Sequence, residues 1–124
     1  MTGSVSLRAF ACGVALVACV ACGGGGASYQ EPAGPPVATL SLRSGNLYFK
    51  PSKLTAPAGV VKISVKNESG THTLDIHEVK GFEIDLSGSG GSKKVRLGAG
   101  KTYHFYCNIP GHEAAGMKGT ITVR

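Results

Sequence analysis

The sequence predicts an all-β domain, an antiparallel sandwich or barrel, and two observations carry that expectation. From Val37 onward, apolar and polar residues alternate with a period of two in several short stretches, and clusters of Gly, Ser, Asn and Pro separate them. No part of that region sustains the 3.6-residue periodicity of an amphipathic helix. Size narrows the choice further: residues 37–124 make a single domain with a small core, and domains of this size usually rely on a compact sheet, a disulfide or a metal.

Within each stretch, alternation assigns an inside and an outside. Val61, Ile63 and Val65 share one parity, opposed by Lys62, Ser64 and Lys66, and the strand ends at a turn through Ser69-Gly70. In Thr71–His77, His72 travels with Leu74 and Ile76 and faces the core, whereas Thr73, Asp75 and His77 face water. Phe82, Ile84 and Leu86 point inward against Glu83 and Asp85, and Ser87–Ser92 reads as a long turn. Val95 and Leu97 repeat the pattern before a turn at Gly98-Ala99-Gly100. Tyr103, Phe105 and Cys107 then share the inner face, which leaves His104 outside, and Ile121 with Val123 closes the domain. For His77 and His104 the plainer reading, exposed side chains without a task, is preferred.

The first 36 residues do not belong to this pattern. Residues 1–22 read as an export signal: a short start with one positive charge, Arg8, and an apolar run, Ala9–Ala21, too short for a comfortable bilayer span. The run ends in Leu16-Val17-Ala18-Cys19-Val20-Ala21-Cys22, which resembles the lipobox of bacterial lipoproteins. Cys22, followed by four glycines, is the expected lipidated residue, with Cys19 as the alternative. Residues 23–36, rich in Gly, Ala, Ser and Pro, are expected to form an unfolded linker. A chain of that length has a relaxed reach of about 20 Å and an extended one of roughly 45–50 Å.

Composition excludes little but orders the alternatives. The formal charge is +6, and the cations are scattered at strand spacing with no interleaved aromatics and no nucleic-acid-binding module, so nucleic acid is not an expected partner. A basic surface does leave an acidic protein or an anionic lipid as possible partners. Of four cysteines, Cys12, Cys19 and Cys22 lie in the address region, and Cys107 is left alone in the domain. A lone thiol in an oxidising compartment is a liability unless it is buried, catalytic or bound to a metal.

The segment around that thiol decides among these. Tyr103-His104-Phe105-Tyr106-Cys107-Asn108-Ile109-Pro110-Gly111-His112-Glu113-Ala114-Ala115-Gly116-Met117 ends a strand at Cys107 and follows it with C-x4-H-x4-M. One loop thus offers a thiolate, an imidazole and a thioether to a single point. His72, some 35 residues earlier and inward-facing, is the one other core-side imidazole, and Met117 is the one methionine of the domain. Two imidazoles, a thiolate and a weak axial thioether suit both Cu(I) and Cu(II). A structural zinc site has little use for a thioether. A catalytic Cys-His pair would need an exposed thiol and an orienting third group, and none is evident.

These residues resemble the cupredoxin family, the plastocyanin and azurin group of type 1 (blue) copper proteins. The resemblance covers Val37 to Arg124 and includes Phe49-Lys50-Pro51, Leu54, Thr55, Ala58-Gly59 and Val65-Lys66-Asn67. It implies a Greek-key β-sandwich of about seven to eight strands, one copper ion, and His72, Cys107, His112 and Met117 as metal ligands. Members of the group often carry Asn after the first histidine ligand, where this chain has Thr73. The expected function is electron transfer by a monomer in the cell envelope, held to the membrane by a lipid anchor and meeting redox partner proteins near His112. A copper-binding or delivery protein is the alternative. An enzyme is not expected, because only His77 and His104 remain to build a second copper centre.

Overall fold

The computed structural model describes residues 28–124, so the expected export signal, with Cys19 and Cys22, lies outside the described residues. Nine strands follow one another: β1 (Ala38–Gly45), β2 (Tyr48–Lys50), β3 (Lys53–Ala56), β4 (Gly59–Asn67), β5 (His72–Ile76), β6 (Glu83–Leu86), β7 (Gly90–Leu97), β8 (Thr102–Tyr106) and β9 (Lys118–Val123). They form two sheets, a four-stranded one in the order β2-β1-β4-β7 and a five-stranded one in the order β3-β9-β8-β5-β6. No α-helix occurs among the described residues.

The predicted parities are those of the structure. Leu40 and Leu42 of β1, Val61, Ile63 and Val65 of β4, and Val95 and Leu97 of β7 line one inner face. Leu74, Ile76, Ile84, Leu86, Tyr103, Phe105, Ile121 and Val123 line the other, all in one buried cluster. The rings of Phe49 and Phe105 meet edge to face at 5.5 Å in this core.

Three expectations need correction. There are nine strands rather than seven or eight, because the stretch after Phe49 divides at Pro51-Ser52 into β2 and β3, which belong to different sheets. Proline lacks the N–H that a continuous ladder would need, so the chain changes sheets there. The sandwich is also not purely antiparallel, since β1 pairs with β4 and β3 with β9 in parallel. Finally, the turn expected over Ser87–Ser92 occupies only its first half, and β7 starts at Gly90. Gly90 has φ 135°, and a Cβ there would lie 2.1 Å from the Val65 carbonyl oxygen; glycine is what lets β7 approach β4 so closely.

The expected unfolded linker is likewise not unfolded from residue 28 on. The Tyr29 ring packs edge to face on Phe82 at 5.1 Å, and its hydroxyl donates to the Lys94 carbonyl at 2.8 Å. The Lys94 amide donates to the Glu31 carboxylate at 2.6 Å, and Lys94 Nζ donates to the Gly34 carbonyl at 2.8 Å. β7 is the edge of its sheet, with outward-facing backbone groups at Lys94, and this strap satisfies them. Composition hid it because two side chains, and no periodic pattern, do the docking. Among the described residues, the core cluster and the strap that covers the β7 edge form one packed unit, residues 28–124.

Asn67, at the end of β4, ties the turns after β4 and β6 to β1 at one end of the sandwich. Its Nδ2 donates to the carbonyls of Gly70 (2.7 Å), Leu86 (2.9 Å) and Gly88 (2.9 Å), while its Oδ1 accepts from the buried Ser44 hydroxyl at 2.9 Å. Asn67→Ala leaves Ser44 and at least one of these carbonyls without a partner. A loss of about 2 kcal/mol in unfolding free energy is expected, read by urea denaturation. A change below about 0.5 kcal/mol would show that water replaces the amide fully.

Candidate metal centre

β5 and β8 bring the two halves of the site together. Their antiparallel register sets Asp75 opposite Tyr106 and Ile76 opposite Phe105. Counting back along β5 and forward along β8 carries His72 to the same end of the sheet as the loop that follows Cys107. That loop is fixed by its own backbone: Cys107 N–H donates to Met117 O at 3.1 Å, Met117 N–H to His112 O at 3.0 Å, and His112 N–H to Ile109 O at 3.0 Å. The predicted spacing C-x4-H-x4-M thus closes on itself and holds its first and last residues side by side.

The side chains converge as a result. His72 Nδ1 lies 3.3 Å from His112 Nδ1, and Cys107 Sγ lies 3.5 Å from the same His112 nitrogen. Donor atoms of these three residues all fall within 4.8 Å of one another, and among the described residues this is the one such group. His72 (4% exposed), Cys107 (1%) and Met117 (0%) are buried, whereas His112 is partly exposed. Two imidazole nitrogens and a thiol sulfur facing one point, in a region largely shielded from water, fit a copper ion and include no carboxylate oxygen for a hard cation.

The surroundings constrain each donor. The Thr73 amide donates to Cys107 Sγ at 3.5 Å, and the Thr73 hydroxyl accepts from the Asn108 amide at 3.0 Å. The residue that departs from the family's usual Asn therefore still supports the sulfur, through its backbone, and still joins the two ligand-bearing loops, through its side chain. Asn108 extends the tie by donating to Asp75 at 3.2 Å and Glu83 at 2.8 Å. Gly70, at φ 77°, packs over the His72 ring so closely that a Cβ would lie 2.8 Å from Nε2. The thiol of Cys107 is free of any disulfide.

His77 and His104 are exposed as expected, yet neither is idle. His77 stacks on Tyr106 with centroids 3.8 Å apart and pairs with Glu113, next to His112, at 2.8 Å. His104 pairs with Glu78. These contacts, and those of Thr73, Asn108 and Asn67, join residues distant in sequence, so no local signal reveals them.

The comparisons with known proteins agree with this geometry. The family model for copper-binding proteins of the plastocyanin/azurin family matches residues 37–124. This chain belongs to that family. Plastocyanin A/B of Petroselinum crispum is 39% identical over 95 residues, covering 68% of this chain and 95% of the relative. Plastocyanin of Scenedesmus fuscus is 35% identical, with the same coverage. Among solved structures, auracyanin B superposes with a TM-score of 0.63 at 24% identity, over 78% of this chain and 96% of that one. Auracyanin A, a blue copper protein of Chloroflexus aurantiacus, gives 0.57 at 23% identity, over 73% and 100%. The fold is thus the cupredoxin sandwich, and the cofactor of this family member is copper.

Burial holds the His72 imidazole below its usual value of 6.5; a backbone hydrogen bond at Ser69 opposes the shift and the neighbouring His112 adds to it. A neutral imidazole is what a metal requires. In the metal-free protein the unfolded state takes up this proton first as pH falls. Stability is therefore full above 6.5 and declines below it, by at most about 1.4 kcal/mol per pH unit until the folded group is protonated too. Denaturation of the metal-free domain at pH 7.5 and pH 5 should show this decline, and His72→Gln should flatten it. An equal slope in the variant would assign the dependence to other groups.

Proposed function

We propose that this protein is a one-electron carrier exported to the cell envelope, in which His72, Cys107, His112 and Met117 would hold one copper ion. The observation that carries the reading is the convergence of two imidazole nitrogens and one thiol sulfur at a buried point next to a fully buried methionine. When bound there, copper supplies a Cu(II)/Cu(I) couple.

The chain's residues do the rest. The β5–β8 register and the self-bonded loop from Cys107 to Met117 hold the donors in one arrangement, so little rearrangement accompanies a change of one charge. The Thr73 amide directs a hydrogen-bond donor at the sulfur, where negative charge resides in the bound state. His112 is the donor that reaches the surface, and Pro110, Ala114 and Ala115 lie exposed around it with Ile109 packed beneath. A redox partner protein docking on this small apolar rim would meet the shortest path to the site. Burial of His72, Cys107 and Met117 favours retention of the metal over its delivery to other proteins.

Export is supported by the apolar run Ala9–Ala21 at the N-terminus, and the free, buried Cys107 thiol is compatible with it because metal ligation would protect it in an oxidising compartment. Acylation of Cys22, or of Cys19, would hold the carrier at a membrane. Mass spectrometry of the protein recovered from membranes tests this: a diacylglyceryl mass on one of these cysteines is expected, and an unmodified chain beginning downstream of both would refute it.

Absorption and paramagnetic resonance of residues 28–124 loaded with Cu(II) test the centre itself. An intense thiolate-to-copper band with narrow hyperfine splitting is expected, lost in Cys107→Ser. In Met117→Leu the band should persist and the reduction potential rise, because the thioether's loss weakens Cu(II) binding more than Cu(I) binding. A colourless wild type, or an unchanged potential in Met117→Leu, would remove the corresponding assignment. His112→Gly should bind copper again when imidazole is added but exchange electrons with a partner more slowly; an undiminished rate would place the exit elsewhere.

A further inference from the structure

The two sheets differ in the charge of their outer faces: the four-stranded one is mostly cationic, whereas the five-stranded one mixes carboxylates with Lys53 and Lys118. On the four-stranded sheet, register places Lys94 opposite Lys62, and Lys66, Arg43 and Lys50 in one cross-strand row, with Arg96 opposite Val60. Between the two cationic rows runs a row of hydroxyls, Ser92, Ser64 and Ser41. Of these six cations only Arg43 has a carboxylate partner among the described residues, Glu68 at 3.3 Å. Five of the seven acidic residues of the chain belong instead to the other sheet: Asp75, Glu78, Glu83 and Asp85 to β5, β6 and the loop between them, and Glu113 to the loop between β8 and β9.

Lys94 holds the strap at Gly34 and Arg43 pairs with Glu68, but Lys50, Lys62, Lys66 and Arg96 make no side-chain hydrogen bond or ion pair among the described residues that would serve the fold. Like charges placed directly across a strand pair, as Lys62 and Lys94 are, oppose folding. Nor does the face offer the apolar core with aromatic anchors that protein interfaces use. Its one aromatic side chain, Tyr48, sits at the margin beneath Lys50 and donates to Glu68. A flat array of cations and hydroxyls without an apolar centre matches a surface of phosphates. The strap from residue 28 to 36 lies along the β7 edge of this same sheet, with Lys94 held between Tyr29, Glu31 and Gly34.

We propose that the outer face of the β2-β1-β4-β7 sheet binds the anionic phospholipid headgroups of a membrane surface. Electrostatic attraction lays this face on the bilayer, with Lys62 and Lys66 among the phosphates and the serine row donating hydrogen bonds to them. His72 and the loop from Cys107 to Met117 belong to the other sheet, so they stay clear of the lipid. The proposal concerns the sheet face and does not depend on copper or on lipidation.

The test is sedimentation of residues 28–124, which lack the apolar run, with vesicles of phosphatidylcholine alone or mixed with phosphatidylglycerol. Binding to the mixed vesicles alone, reversed by salt, is expected. Lys62→Glu with Lys66→Glu should weaken it at least about tenfold. Lys53→Glu with Lys118→Glu, the same charge change made on exposed positions of the five-stranded sheet, should weaken it less than about threefold. Thermal melts of both variants show whether each is folded. Equal losses in the two variants would mean that net charge alone governs binding, and equal binding to both vesicle types would exclude headgroup charge. Either would overturn the proposal. So would polyglutamate or duplex DNA binding the wild type more tightly than mixed vesicles at equal charge concentration, which would give the face to a soluble polyanion.

Discussion

The pairing of β5 with β8 is the constraint on which the metal centre rests. Only two residue pairs define it, Asp75 with Tyr106 and Ile76 with Phe105, yet they decide whether His72 and Cys107 face the same interior. A slip of one residue would turn His72 to solvent and Thr73 to the core, because side chains alternate along a strand. The core prevents the slip: Leu74 and Ile76 are buried on the same parity as His72, and Phe105 on that of Cys107. Hydrophobic burial thus specifies a register, and the register gathers the ligands.

Polar contacts then turn proximity into a fixed geometry. Thr73 and Asn108 join the strand carrying His72 to the residue after Cys107, and Asn67 joins the turn before His72 to the turn after β6. Two of the Asn67 bonds, to the Ser44 hydroxyl and the Leu86 carbonyl, are partly buried, and breaking them leaves a donor or acceptor shielded from water, which makes that tie stiff. His77, stacked on Tyr106 and paired with Glu113, braces the outer side of the same loop. The donors are therefore held by neighbours on three strands and two loops.

The same sandwich separates other roles by face. Its end carries the donors and the apolar rim around His112, one sheet gathers most of the carboxylates, and the other gathers six cations. Period-two alternation makes this possible, because each strand contributes to the core and to an outer face at once. The strap along β7 adds a further consequence: it covers an open edge that could otherwise pair with another chain.

By itself the sequence determined the fold class, the inward and outward parities and the four candidate ligands. All three are local properties: alternation within a strand is visible in a few residues, and the thiol, imidazole and thioether of the loop lie within eleven positions. Tertiary structure alone decided the rest. The parallel pairing of β1 with β4, the division at Pro51-Ser52, the strap anchored by Tyr29 and Glu31, and the support of Cys107 by Thr73 each join residues far apart in the chain. Composition also described the cations as scattered, since their positions differ along the chain; sheet register brought six of them onto one surface. Contacts between distant segments depend on strand order and register, and those follow from how the whole core packs, which no local pattern encodes.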